Sequence, residues 1–293
     1  HHQSNLEPRL YRKIEMQIGT AIFPTDYSIA MDELAPALEA RGFESCFVTE
    51  HTHIPANRLS PWPGGATLPK EYAHTYDPFV CLSFAAAATT TLKLGTGICL
   101  LPQRDTLITA KLVASLDRMS NGRFLFGVGG GWNKEEMNHH GADYKSRFAR
   151  LEEQIAAMKG LWTEDEYAHD GQWVSFSPTW LYPKPIQKPH PPVLLGGDSD
   201  YTLDRVARFC DGWLPIARPG FDVNRSMARL KANAARHGRD SSQISVSVFG
   251  AKADPATLDD FRTAGVSRAL IVLPSQSREK ILPLLDDYAQ LLS

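Results

Sequence analysis

Cysteine is scarce: four residues in 293, at Cys46, Cys81, Cys99 and Cys210. They are widely spaced and sit in apolar runs, which excludes a disulfide framework or a C-x-x-C metal pair and reads as reduced core thiols. Long hydrophobic runs are also missing. The longest, 79–88, is broken by Ser83 and falls far short of the roughly 20 residues needed to cross a bilayer. No secretory signal pattern is visible. Neither sign of charge dominates, with 31 Lys and Arg against 33 Asp and Glu. That leaves no basic excess for a duplex nucleic-acid partner. The expectation is a cytoplasmic protein with neither a nucleic-acid nor a membrane partner. At 43% hydrophobic and 22% charged, the composition is that of a folded chain. Residues 1–15, beginning His1-His2-Gln3-Ser4-Asn5, are expected to be a tag remnant or N-terminal extension. Residues 16–293 are expected to form a single domain.

What the chain does have is alternation. Short apolar runs at 17–22, 45–49, 93–97, 123–128, 193–195, 212–216, 244–249 and 268–273 read as buried parallel strands. Each is followed by a segment of helical period, at about 31–40, 78–88, 105–119, 148–162, 202–210, 223–237, 255–264 and 278–292. The third helix is expected to bury Ile108, Leu112, Ser115 and Met119, and the fourth to align Phe148, Leu151, Ile155, Met158 and Trp162. Glycines at 42, 238 and 265 mark helix ends. Eight strand–helix units in about 280 residues predict an α/β fold, a closed (β/α)8 TIM barrel rather than an open doubly wound sheet. Two segments interrupt the rhythm. One is a Pro- and Gly-rich loop insertion at 52–76 after strand 2. The other is a hairpin insertion at 163–191 before strand 5, in which 173–176 is expected to pair with 180–182.

Active sites of such barrels lie at the carboxyl ends of the strands. Strand 2 ends in Thr49-Glu50-His51-Thr52-His53. The His-x-His spacing admits a metal reading, but the other strand ends add only Asp198 as a ligand, so no metal site is assigned. His51 suits proton transfer, with Glu50 as its orienting carboxylate. Strand 3 ends at Gly97-Ile98, and strand 4 runs into Gly129-Gly130-Gly131-Trp132. These glycines allow the backbone to approach a flat ligand. Strand 5 leads through Gly196-Gly197-Asp198-Ser199 into a helix N-terminus, the strongest anion site in the chain.

Several segments, taken together and in order, resemble the bacterial luciferase-like flavin and deazaflavin oxidoreductases. They are Thr49-Glu50-His51, Leu94-Gly95-Thr96-Gly97-Ile98, the glycine run to Trp132 with Glu136, the proline-rich stretch 182–192, Gly196-Gly197, Ala207-Arg208 and Asp211-Gly212-Trp213. Within that superfamily the chain is most similar to the F420-dependent branch. The resemblance implies F420, or alternatively FMN, bound at the barrel mouth and a small organic substrate. It also implies a non-proline cis peptide at Gly97–Ile98, and His51 near the reactive face of the ring. Thr49, Ile98, Gly129, Gly130 and Gly131 would line the cofactor groove, and Gly196, Gly197, Asp198 and Ser199 would take the phosphate. Phe23, Trp62, Trp132 and Trp180 are the expected substrate-pocket residues. Trp132 stands where the sugar-phosphate dehydrogenases of the group place an acidic proton donor, which argues against their substrate. A homodimer through the apolar faces of the early helices is also implied. The activities expected are F420-dependent hydride transfer, an FMN-dependent monooxygenase, or a catalytically silent flavin-binding barrel.

Overall fold

The computed structural model describes residues 15–292. The expected extension at 1–15 lies outside these apart from Glu15. The apolar runs form strands β1 (Gln17–Ile22), β2 (Ser45–Val48), β3 (Lys93–Thr96), β4 (Cys99–Leu100) and β5 (Phe124–Gly129). They are followed by β6 (Tyr167–Asp170), β7 (Ser175–Thr179), β8 (Val193–Gly196), β9 (Gly212–Leu214), β10 (Ser245–Phe249) and β11 (Arg268–Leu273). All but β6 and β7 join one parallel sheet, ordered β3-β2-β1-β11-β10-β9-β8-β5-β4 and closed by a β3–β5 pairing. β4 prolongs the line of β3 beyond a cis peptide at Gly97–Ile98. The result is an eight-staved parallel barrel with helices around it. The first and last staves pair along their whole length, from Gln17 opposite Arg268 to Ile22 opposite Leu273.

Both faces of each stave are buried, which is why the strands read as continuous apolar runs. Ala21, Phe47, Leu125, Leu194, Leu214 and Leu270 point inward and fill the barrel. Their sequence neighbours, such as Ile22, Phe124, Phe126, Leu195 and Trp213, point outward into the helix layer. Phe47 needs Gly95 beside it, because a Cβ there would lie 2.4 Å from the Phe47 ring.

The helices are α1 (Met31–Ala40), α2 (Glu71–His74), α3 (Pro78–Ala87), α4 (Thr106–Met119) and α5 (Lys134–His139). They continue with α6 (Arg147–Thr163), α7 (Asp200–Phe209), α8 (Val223–Arg236), α9 (Pro255–Ala264) and α10 (Arg278–Ala289). Side-chain caps start many of them. Asp105 accepts from Ile108 N–H, Ser199 from Thr202 N–H and Asp254 from Thr257 N–H. α9 stops at Gly265, whose φ of 92° suits glycine.

Two expectations are corrected, and one helix had not been assigned. α4 does not bury Ile108 and Met119, which are 62% and 81% exposed; its inner face is Thr109, Ala110, Val113, Ala114, Leu116 and Asp117. Small residues set that face, so picking the bulky apolar ones misplaced it. In the hairpin, β7 pairs antiparallel with β6 at 167–170, and 180–182 is not a strand. Residues 134–139, not expected to be helical, form α5, capped by the Asn133 side chain accepting from Glu136 N–H.

At the end of α1, the Glu39 carboxylate accepts from the backbone N–H groups of Thr90, Thr91 and Leu92, tying the chain entering β3 to the helix layer. Partial burial acts to raise its pKa, but these amides outweigh it and bring it from 4.5 down to about 2. The folded value is the lower one. The contribution to stability is therefore complete above the unfolded value of 4.5 and is lost as pH falls toward 2. Urea unfolding should show Glu39→Gln less stable than wild type at pH 6, with the gap closing near pH 2; an equal gap at both would refute the amide trap.

Candidate active site

A cavity of about 550 Å³ opens at the carboxyl ends of the staves. Seven strand ends contribute to it: Phe23 after β1, Thr49, Glu50 and His51 after β2, Gly97 and Ile98 after β3, Gly130, Gly131 and Trp132 after β5, Gly196 and Gly197 at β8, Ile216 after β9, and Phe249 at β10. The size lies within the range of small-molecule and cofactor sites, and the walls are mostly apolar. The loop at 52–76 contributes Trp62 and, from α2, Tyr72; the Trp62 indole N–H donates to the Tyr72 hydroxyl at 3.1 Å. Burial pushes the Tyr72 phenol up. The loop is fastened to α5, where the Glu135 carboxylate accepts from Leu59 N–H, Ser60 N–H and the Ser60 hydroxyl.

The back wall depends on missing side chains. Ile98 lines the cavity, and a Cβ on Gly129 would lie 1.9 Å from its Cδ1. A Cβ on Gly130 would lie 2.7 Å from the Phe148 ring, which also lines the cavity.

His51 is the central polar group. Its Nδ1 lies 2.7 Å from Glu136 Oε2, with the carboxylate fully buried. Glu136 Oε1 also accepts from Thr52 N–H at 3.1 Å and from the Gln103 amide at 3.1 Å. Burial alone would push the Glu136 carboxyl up. The bond from His51, aided by those from Gln103 and Thr52, outweighs it and holds the group below its ordinary value. An ionised carboxylate only accepts, so the proton of neutral His51 sits on Nδ1. That leaves Nε2 as the exchangeable ring nitrogen of a cavity-lining residue. The His51 ring lies 5.3 Å from that of Tyr72 and 5.8 Å from that of Trp132.

Glu50 does not orient His51, a correction to the sequence expectation. Its Oε1 accepts from Leu100 N–H at 2.8 Å and its Oε2 from Arg104 Nε at 2.9 Å, with a second contact to the Arg104 guanidinium. Glu50 is thus spent on a buried ion pair that also reaches Asp77. Burial works against the Arg104 charge, but Glu50 and its neighbours keep the pKa raised. Glu136, 85 positions from His51, does the orienting.

Most of the expected site residues converge, but four sit apart. Gly129 stands behind Ile98 rather than on the cavity surface. Asp198 lines a smaller adjoining hollow of about 220 Å³ together with Gly197 and Arg218. Its carboxylate accepts from Arg229 at 2.9 Å. Ser199 caps α7 with its own side chain. Trp180 is outside the pocket altogether: it is 76% exposed on the hairpin side, its indole N–H donating to Glu166. Sequence reading also missed Tyr72, Phe148 and Arg218. Phe148 was legible only as one residue of an apolar helix stripe. Tyr72, on the short α2 inside the 52–76 insertion, and Arg218, in the loop after β9, lie in segments whose course no local pattern specifies.

The His51-x-His53 pair does not converge either. His53 turns away, its Nε2 2.8 Å from His139 Nδ1, and the Thr52 hydroxyl lies 2.7 Å from His140 Nε2. Burial, then His53, lower the pKa of His140. All four cysteines are free and buried, and burial pushes the thiols of Cys46, Cys81 and Cys210 up to about 12. Among the described residues no helix is long and apolar enough to cross a membrane.

Residues 24–256 match the family model described as luciferase-like monooxygenase. An uncharacterized protein of Mycobacterium tuberculosis is 37% identical over 268 residues, 90% of this chain and 94% of that one. The FMNH2-dependent dimethylsulfone monooxygenase of Pseudomonas putida is 31% identical over 194 residues, 60% of this chain and 53% of that one. Among solved structures, the coenzyme F420-dependent tetrahydromethanopterin reductase of Methanopyrus kandleri superposes with a TM-score of 0.72 at 16% identity, covering 95% and 97% of the two chains.

The back wall yields a test. Gly129→Ala should drive Ile98 into the cavity, weakening binding of any ring-shaped ligand by about tenfold or more while the thermal midpoint falls by only a few degrees. Unchanged affinity would mean that Ile98 does not shape the site.

Proposed function

The chain belongs to the luciferase-like monooxygenase family, and from that premise we propose an oxidoreductase that uses reduced F420 for hydride transfer to a small organic substrate, or the reverse. The observation that carries this reading is the His51–Glu136 pair facing a large apolar cavity. Hydride transfer to a polar double bond leaves an anion that needs a proton, and the pair is built to provide one.

The cavity fits a flat, three-ring cofactor. Ile98 forms an apolar back wall with room left by Gly129 and Gly196, while Trp132 and Tyr72 stand near His51. Backbone at Gly196 and Gly197, with Arg218 between the cavity and the adjoining hollow, supports a place for the phosphate-bearing chain. When bound, reduced F420 supplies a hydride from C5 of its ring. His51 as the imidazolium would donate its Nε2 proton to the substrate, and neutral His51 would accept one at Nε2 in the reverse direction. The buried Glu136 carboxylate stabilises the imidazolium form and holds the ring's orientation through Nδ1. Trp62, Tyr72 and Trp132 exclude water and shape the space left for substrate.

A second reading, an FMN-dependent monooxygenase, is favoured by the likeness to the dimethylsulfone enzyme. The size and apolar walls of the cavity support either ring system. Separate fluorescence titrations of the purified protein with F420 and FMN distinguish them. Micromolar binding of F420 is expected, binding of FMN alone would establish the second reading, and binding of neither would sink both. His51→Ala should bind cofactor nearly as well as wild type and lose about 100-fold in turnover.

The homodimer is supported by apolar side chains left exposed on neighbouring α3 and α4, among them Val80, Phe84 and Ile108. Sedimentation should find a dimer for wild type and a monomer for Phe84→Glu/Ile108→Glu. A monomeric wild type would end this assignment.

A further inference from the structure

Beside the catalytic pair, on its solvent side, lies a second cluster that shares Glu136 with the pair and whose histidines the proposed reaction does not use. The Thr52 hydroxyl sits among three atoms that can accept from it: His140 Nε2 at 2.7 Å, His53 Nδ1 at 3.0 Å and Glu136 Oε1 at 3.4 Å. One hydroxyl has one proton, so it can donate to only one of them at a time. Ligand atoms from His53, Glu136 and His140 all lie within 4.8 Å of one another. Tetrahedral coordination at zinc-like bond lengths brings such atoms to about 3.4 Å apart. The set must therefore draw in by at most about 1.4 Å, with the exposed Thr52 side chain rotating out of the centre.

From this arrangement we infer that His53, Glu136 and His140 form a binding site for a divalent transition-metal ion of the zinc type, joining the loop after β2 to α5 at the rim of the cavity. Two imidazoles and one carboxylate suit Zn²⁺, Co²⁺ or Ni²⁺; calcium and magnesium prefer all-oxygen sites. The surroundings are built for the role. His53 Nε2 faces His139 Nδ1 at 2.8 Å, with the two rings parallel to within 3°. With the proton on Nε2, His53 donates to His139 and keeps the Nδ1 lone pair toward the cluster, the usual support for a metal-bound imidazole. Glu136 contributes Oε1 and keeps Oε2 on His51, so one carboxylate serves both groups. Three protein ligands leave a fourth position open on the side of exposed Thr52.

This site differs from a His51–His53 pair, because His51 stays on Glu136 and the third ligand comes from the end of α5. It stands independently of the cofactor reading, and its test reads metal binding rather than turnover.

The test uses the full chain carrying His1→Ala/His2→Ala, so that the N-terminal imidazoles do not compete, stripped with EDTA and then titrated with Zn²⁺ and Co²⁺. Calorimetry should find one equivalent of Zn²⁺, and Co²⁺ should develop the visible absorption of a site with nitrogen and oxygen ligands. His53→Ala and His140→Ala should each weaken Zn²⁺ binding at least about tenfold. Thr52→Ala, which removes the competing hydroxyl, should bind as tightly as wild type or more tightly. His237→Ala, at a distant imidazole paired with Asp204, should change nothing. If an alanine variant folds poorly, His53→Gln or His140→Gln gives the same comparison, checked by the melting midpoint of the metal-free protein. Zn²⁺ should raise that midpoint in wild type and not in the His140 variant. Absence of stoichiometric binding, or binding indifferent to His140, would overturn the site and leave a hydrogen-bonded cluster around Thr52.

Discussion

Everything at the mouth of this barrel rests on how its interior is filled. Closing eight parallel staves leaves a narrow tube, and Phe47, Leu125, Leu194, Leu214 and Leu270 occupy it. Phe47 fits because Gly95 has no side chain to meet it. Above this plug the inward positions become small, at Gly97, Gly129 and Gly196, and the cavity begins there. Parallel closure also brings every strand's carboxyl end to the same rim. Residues far apart in the chain, from Phe23 to Phe249, therefore surround one space.

Two buried carboxylates organise the rim, and electrostatics keeps their tasks separate. An unpaired buried charge is costly, so each carries its own set of donors. Glu50 takes Arg104 and the Leu100 amide and becomes part of the frame. Glu136 takes His51, Gln103 and the Thr52 amide, and becomes the partner of an imidazole that lines the cavity. The frame makes the other pair usable. Arg104 is drawn toward Glu50 and Asp77, which leaves Glu136 to interact with His51 without a competing guanidinium. The loop at 52–76 is held to α5 by Glu135 on one side and by the histidine cluster around Thr52 on the other. Its aromatic residues, Trp62 and Tyr72, thereby gain fixed positions over the site.

Legibility varied with the range of the interaction. β1, α9 and β11 fall where the apolar runs, the helical period and the Gly265 stop place them, because those signals act within a few residues. The face of α4 was misread because its inner residues are small, and a moderate apolar period does not tell Ala110 and Val113 from Ile108 and Met119. Trp180 was expected in the pocket as an aromatic of the hairpin insertion at 163–191. The hairpin's true pairing, β6 with β7, carries it out to Glu166 instead. α5 was missed because six residues offer too little periodicity to detect, though Asn133 is an ordinary capping residue.

The sequence by itself determined the alternation of strand and helix, hence a parallel barrel. It also determined which glycines and which histidine stand at the strand ends, because period, caps and breakers are local properties of the chain. Only the tertiary structure decided which carboxylate serves His51. Glu50 is its sequence neighbour, yet its carboxylate is taken by Arg104 and the Leu100 amide. Glu136 reaches His51 across 85 positions because α5 docks against the loop after β2. Such a contact depends on where two elements come to rest, and no spacing within either element encodes it.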